Sequence, residues 1–295
     1  MDDLRLAMVM MVVLSVAMFF GTRRLVTNAH PRLLDGLAVA IVLLVGVYVR
    51  LMWGQLWIVK WIPLPSVIVL ANWFPLFLGA LAGVLWERTK SQSFIRRLPV
   101  QAMLIGATIW SEIYVIPRTP PQCKDEWIEP TRHNPYRICL QTTPYTCSAA
   151  AAATILTSLG IKTNEQEMAA LCLTSKGTTW LGLYHGLSSR LRGTGFTAEF
   201  FECGVEGLDQ VTAEYPALLC CLLTDEVDAQ FPIYSSEQRG WIVGISHSTV
   251  LFRHVGPYYL IGDPSQKTPE VWSEEDLTNL WTGTGLRIVG ANKSP

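Results

Sequence analysis

Charge is scarce in this chain, and so are the marks of several common functions. Only 16% of its 295 residues are Asp, Glu, Lys or Arg, against about a quarter in an ordinary soluble domain. The formal net charge is −1, and acidic and basic residues are scattered rather than patched. No nucleic-acid partner is therefore expected. No Cys-x-x-Cys pair occurs among Cys123, Cys139, Cys147, Cys172, Cys203, Cys220 and Cys221, so zinc-ribbon and thioredoxin-like readings lose their support. No metal site and no cofactor are expected. A Gly-x4-Gly-Lys-Ser/Thr phosphate loop is missing, and no ATP-binding cassette is expected in this chain. Internal repeats and low-complexity tracts are missing too.

The shortage of charge is uneven. It falls in the N-terminal part, where four apolar runs follow one another: Leu6 to Thr22, Leu37 to Val49, Pro65 to Trp86, and Val100 to Ile116 with Glu112 inside it. A helix crossing hydrocarbon needs about 20 apolar residues. The third run meets that, the first two come close, and the fourth is marginal. Trp53, Trp57, Trp61, Trp73 and Trp86 lie near the run ends, as an interfacial aromatic belt requires. The first run is not read as a signal peptide. Its leading residues are not clearly basic, no small-x-small cleavage site follows, and further apolar runs come next. Residues 1–116 are thus expected to be a transmembrane region of three to four helices in contact with membrane lipid.

Arg23, Arg24 and Arg32 separate the first two runs, and Arg88, Lys90, Arg96 and Arg97 separate the third and fourth. The positive-inside rule puts both loops in the cytoplasm. Four spans then leave the C-terminal part extracytoplasmic, and three leave it cytoplasmic. Residues 117–135, with Pro117, Pro120, Pro121, Pro130 and Pro135, read as a linker.

From residue 136 to 295 the pattern is that of an α+β domain. Thr143-Pro144 reads as the N-cap and first position of a helix through Ala149–Ala153, ending at Gly160. Thr163 with Gln166 reads as a capping box for a second helix, and Trp180 to Arg192 as a third. Alternating or apolar runs at Phe196–Phe201, Ala217–Leu223, Ser248–Phe252, Tyr258–Gly262 and Leu286–Val289 read as strands. A capped helix is expected from Ser273 to Leu280.

This layout places Cys147 in the first turn of a helix. Free N–H groups and partial positive charge there stabilise a thiolate. Gln141, six positions earlier, can donate its amide to a developing oxyanion beside the Cys147 N–H. His247 opens one strand and Asp263 closes the next. The tight hairpin at Gly256-Pro257 sets them at the same end, where Asp263 can hold the imidazole and His247 can act as base. Each residue also has a bland reading: a buried structural thiol, a histidine at the core edge, an Asp-Pro turn former, a loop glutamine. Order and spacing of the four together favour chemistry. His185 and His254 are weaker candidates for the base. Cys220 and Cys221 lie in an apolar strand and are expected to pack, while some of Cys123, Cys139, Cys172 and Cys203 could pair in an oxidising compartment.

Gln141-Thr-Thr-Pro-Tyr-Thr-Cys147-Ser-Ala-Ala resembles the Gln-x(4,5)-Cys-Gly-x-Ala block of the bacteriocin-processing, papain-like cysteine peptidases (the C39 family). His247-Ser-Thr-Val-Leu and Gly262-Asp263-Pro264 resemble its His-x-Val-Val and Asp-Pro blocks, and Trp272 its following aromatic. The resemblance covers roughly Tyr136 to Ile288. It implies a papain-like fold, with helices packed on an antiparallel sheet. It also implies a peptide or protein substrate, often a leader cut after a double glycine, and a bacterial inner-membrane location. By position it implies Cys147 as nucleophile, His247 as base, Asp263 as its orienter and Gln141 as oxyanion donor. Ser148 departs from the family's glycine. Three functions share this residue set: a membrane-anchored thiol peptidase, a binding or sensor module with silent chemistry, and an acyl-transfer enzyme.

Overall fold

The apolar N-terminal runs form helices α1 (Asp2–Val26), α2 (Pro31–Leu51), α3 (Val67–Leu70), α4 (Phe74–Arg88) and α5 (Phe94–Ile113). The computed structural model describes residues 2–113, 119–132, 135–236, 239 and 241–290. Two units separate by their contacts, Met1–Ile58 with Ser66–Ile116, and Val59–Pro65 with Pro117–Pro295.

In the first unit, three stretches among the described residues are long and apolar enough to cross a membrane: Asp3–Val26, Pro31–Leu51 and Val67–Arg88. Their outer faces are apolar and bare. Leu6 is 72% exposed and Leu43 66%, a surface that hydrocarbon tolerates and water does not. The third stretch is interrupted at Ala71–Trp73. Tyr48 satisfies the backbone there, its hydroxyl donating to the Ala71 carbonyl and accepting from the Trp73 N–H. A broken helix at membrane depth needs such partners. The fourth apolar run is also helical, but α5 begins at Phe94 rather than near Val100, and Pro99 lies inside it. The run's last residues, 114–116, lie outside the described residues.

Helix α4 lies against α1 because Gly79 and Gly83 leave it room. A Cβ on Gly79 would run into the backbone oxygen of Ser15, and one on Gly83 would meet the Phe19 carbonyl at 2.7 Å. This is small-xxx-small packing. Ser15 Oγ fastens it by donating to the Pro75 carbonyl at 2.6 Å.

The second unit is built on an antiparallel sheet. Two short strands come first, β1 (Trp127–Ile128) and β2 (Ile138–Cys139), paired with each other. Helices α6 (Cys147–Ser158), α7 (Glu165–Leu171) and α8 (Trp180–Leu191) follow. Then come β3 (Phe196–Glu202), α9 (Leu208–Val211), β4 (Ala217–Leu222), α10 (Asp225–Gln230), β5 (Ser246–Val255), β6 (Tyr258–Gly262), β7 (Glu270–Trp272), α11 (Glu274–Leu280) and β8 (Trp281–Gly290). The six long-range strands order as β3-β8-β4-β5-β6-β7, and every pair is antiparallel. Helices before an antiparallel sheet make this an α+β unit, as its sequence pattern implies.

Helix α6 is the axis of the unit. Ala149 through Ala153, Ile155 and Leu156 are all fully buried. A helix apolar on every side belongs inside, and its alanines let neighbours approach closely. Gly160 closes it with φ of +75°, the left-handed residue of a helix C-terminus.

Two caps differ from the sequence reading. Helix α6 starts at Cys147 with Thr146 as N-cap, not at Thr143. The intervening residues make a tight turn, Thr146 N–H donating to the Thr143 carbonyl at 3.2 Å. Asn164, not Thr163, caps α7, its side chain accepting from the Glu167 N–H at 2.7 Å. Gln166 is drawn away to bond the 121–125 segment. The short strand β7 was not legible in sequence, since three residues carry too little periodicity.

Candidate active site

Cys147 is the first residue of α6, so its N–H has no carbonyl one turn back within that helix. The alanine run fixes this end of the helix inside the unit, and Cys147 itself is 8% exposed. Strand β5 carries His247 near its start, paired in register with Cys221 of β4. Asp263 follows directly on β6, the next strand in the sheet. The three side chains converge there.

His247 Nε2 lies 2.7 Å from Asp263 Oδ1. Asp263 is 1% exposed, and the same oxygen accepts from the N–H and the hydroxyl of Ser265, both at 2.8 Å. The imidazole and the Cys147 sulfur lie close enough to act on one another's charge. With Nε2 committed to Asp263, Nδ1 is the nitrogen left to face the thiol.

The electrostatics are mutual. Burial pushes the Cys147 thiol up, but the hydrogen bond and charge of His247, the Ser248 backbone and the Ser148 hydroxyl together hold it below the ordinary thiol value. Burial pushes His247 down, but the charge and hydrogen bond of Asp263 and the contact with Cys147 lift it well above the usual imidazole range. Burial pushes Asp263 up, but His247 and Ser265 hold it below the usual carboxylate range. The other six thiols all move the opposite way. Burial takes Cys123 and Cys220 up to about 12 and raises Cys139, Cys172, Cys203 and Cys221 as well. Among the seven, Cys147 alone is held down.

Gln141 lines a cleft shared with Pro144, Trp241, Ile242, Ile245, Ser246, His247 and Ser265. Its backbone N–H donates to the Pro264 carbonyl at 2.9 Å, which ties it to the segment just after Asp263. Its side-chain Oε1 is buried without a partner. All four residues singled out in the sequence therefore meet at one place. The weaker candidates do not. His185 is buried within α8, and His254 pairs with Asp209 at 2.8 Å while stacking on Tyr259. All seven cysteines are free, and no group able to hold a metal ion occurs among the described residues.

Two neighbours had no signal in sequence. Trp241 sets its ring edge-on to His247, with centroids 4.7 Å apart, and also meets Trp272. It caps the His247–Asp263 pair against water, which strengthens the pair's attraction. Ser148, at the position of the expected glycine, is buried, and its hydroxyl lies 2.8 Å from that of Ser248. That bond joins the residue after the thiol to the residue after the imidazole. Trp241 lies close to His247 in sequence but carries no motif, and its other ring partner, Trp272, ends β7.

No family model matches the chain, and no curated protein matches it. Among solved structures it is similar to the peptidase domain of Streptococcus ComA, a bi-functional ABC transporter involved in a quorum-sensing pathway, at 20% identity over 52% of this chain and 98% of that one, with a TM-score of 0.42. The Streptococcus mutans ComA peptidase domain is similar at 20% identity over 52% of this chain and 99% of that one, TM-score 0.37. A double glycine motif protease from an AMS/PCAT transporter, in complex with its leader peptide, is similar at 16% identity over 58% and 96%, TM-score 0.39.

Proposed function

We propose that this protein is a membrane-anchored cysteine peptidase that hydrolyses peptide bonds at Cys147. One observation carries the reading: a buried thiol at the first position of a helix is held below the ordinary thiol range by an imidazole that a buried carboxylate binds at 2.7 Å. The set is that of a nucleophile, a base and an orienting group.

The Cys147 thiolate attacks the substrate carbonyl carbon. The oxygen that gains charge is met by the Cys147 N–H and the Gln141 side-chain amide. The His247 imidazolium gives its proton to the leaving amine, which departs and leaves a thioester. Neutral His247 then takes a proton from water, the hydroxide adds to the thioester, and the thiolate leaves, so that the acid product departs and the thiolate–imidazolium pair is restored. Asp263 keeps the ring in the tautomer these steps need. Exposed Ile242 and Ile245 line the cleft and favour a peptide with apolar side chains. The apolar helices of the first unit serve as the anchor, and α5 completes four spans that put the peptidase on the extracytoplasmic side of a bacterial inner membrane.

The test uses the full chain in detergent micelles, following alkylation of Cys147 and peptide hydrolysis across pH, with His247→Ala alongside. A thiolate present well below the free-thiol pKa of about 8.5, lost in the variant and accompanied by hydrolysis, supports the reading. Acyl transfer to added amines without hydrolysis replaces it with an acyl-transfer enzyme. An ordinary thiol profile unchanged by the variant leaves a binding module.

A further inference from the structure

Glu165, the first residue of α7, is a buried carboxylate far from the Cys147–His247–Asp263 set in sequence and bound to its neighbourhood in space. It is fully buried. Its Oε1 accepts from the Thr142 N–H at 2.7 Å, and its Oε2 from the Thr142 hydroxyl at 2.6 Å. A buried carboxylate is costly unless its lone pairs are satisfied, and here two donors, one on each oxygen, satisfy it. Both belong to the residue immediately after Gln141.

The opposite side of Gln141 is tied as well, its N–H donating to the Pro264 carbonyl at 2.9 Å. The loop that carries Gln141 is therefore held between the segment following Asp263 and the Glu165 carboxylate. The chain entering the unit adds a third hold. The Lys124 N–H donates to the Thr142 hydroxyl at 2.8 Å, and the Leu140 N–H donates to the Glu126 carbonyl at 2.8 Å. Gln166 fastens this entering segment, accepting from the Cys123 N–H at 2.9 Å and donating its own N–H to Asp125 Oδ1 at 3.2 Å. The Thr142 hydroxyl thus receives a bond from the entering segment and gives one to Glu165.

We propose that Glu165 is a positioning residue for Gln141, setting the oxyanion-facing amide through Thr142, with Lys124 completing the hold. The role rests on the peptidase reading of Cys147. Oxyanion donors work only when aimed to within a fraction of an ångström, and a glutamine on an irregular loop has no helix or strand of its own to aim it. A carboxylate that takes both the N–H and the O–H of the next residue supplies that rigidity. A glutamine at 165 has one acceptor oxygen where the Thr142 N–H and O–H each take a separate one, so it cannot replace the carboxylate.

The experiment compares full-length wild type with Glu165→Gln, Thr142→Val and Gln141→Ala, and with each of the first two combined with Gln141→Ala. It reads kcat and KM on a peptide substrate, the pH profile of Cys147 alkylation, and local amide exchange over residues 140–143. Glu165→Gln and Thr142→Val are expected to lower kcat by about 10-fold to 100-fold, as a small misplacement near the reacting centre does. KM and the alkylation profile should hold, because the thiol–imidazole pair is untouched. Exchange at 140–143 should quicken. In the Gln141→Ala background neither change should cost more, since the group they aim is gone. Equal losses with and without Gln141, an altered alkylation profile, or full activity in Glu165→Gln would each overturn the positioning role while leaving the peptidase reading intact. A wild type with an ordinary thiol and no hydrolysis would overturn the peptidase reading, and the role with it.

Discussion

His247 and Asp263 are joined through one imidazole nitrogen, Nε2 to Oδ1 at 2.7 Å, and that single bond decides which nitrogen faces Cys147. Asp263→Asn keeps the volume but can hold the ring in the opposite tautomer, with the amide donating to Nε2. The proton then sits on Nδ1, facing the sulfur with nothing to accept. We expect kcat to fall on the order of 10³-fold to 10⁴-fold, the scale of such a change in a catalytic triad, with peptide binding largely kept. Steady-state kinetics beside a thermal unfolding curve checks this. Loss of fold with loss of activity would point to a structural carboxylate instead.

The shifts of Cys147 and His247 run in opposite directions, and their signs define a pH profile. Cys147 is held below the ordinary thiol range, so the thiolate forms as pH rises through that lowered value. His247 is lifted well above the imidazole range, so the imidazolium survives until pH passes that raised value. Between the two the ion pair is the resting form, and kcat/KM should show a broad plateau with an acid limb from the thiol and a basic limb from the imidazole. In His247→Ala only burial and two weak donors act on the sulfur. Its alkylation midpoint should move upward, above that of wild type. A midpoint that stays where it was would mean that His247 does not hold the thiolate.

Ser148 and Ser248 follow the thiol and the imidazole directly, and their hydroxyls meet at 2.8 Å in a buried place. Ser148→Ala strands the Ser248 hydroxyl, at a cost of about 1–3 kcal/mol for a buried polar group without its partner. The Ser148 hydroxyl also helps hold the Cys147 thiol down, so the alkylation midpoint should rise slightly. Differential scanning of the two proteins, with the same alkylation series, tests both effects. An unchanged melting temperature would show that the bond contributes nothing to holding α6 on β5.

The proximity of His247 and Asp263 was legible because it is local: two apolar runs and a Gly256-Pro257 turn bring their ends together. Cys147 in a first helical turn was legible from the alanine run, although the turn at Thr143–Thr146 delays the start of α6 by one turn. What stayed hidden depends on distant partners. Ser148 meets Ser248 across 100 positions, and Glu165 meets Thr142 across 23. No period or spacing announces either bond. Trp241 was hidden although it lies near His247 in sequence, because no motif marks a ring that packs on both His247 and Trp272. In the apolar part, helix content was legible from composition, and the break at Ala71–Trp73 was not, because the hydroxyl that satisfies it comes from Tyr48 on another helix.

Helix α5 decides which side of the membrane the second unit, with Cys147, is expected to face. Arg88 meets Asp35 at 2.6 Å and Arg23 meets Glu87 at 3.2 Å, so the basic ends of α1 and α4 and the start of α2 gather together. By the positive-inside rule we expect that end to be cytoplasmic. Helix α5 leaves from it with Arg96 and Arg97 in its first turn. Its 20 residues, at 1.5 Å each, reach about 30 Å, the thickness of the hydrocarbon core. Glu112 comes only near its far end, and Pro99, past the first turn, removes a single N–H bond from the helix. We therefore expect α5 to cross and deliver the peptidase unit outside. A reporter fused after residue 295 checks this: alkaline phosphatase should be active there and green fluorescent protein dark. The opposite pattern would put α5 along the cytoplasmic interface, and the substrate of Cys147 would then be a cytoplasmic peptide.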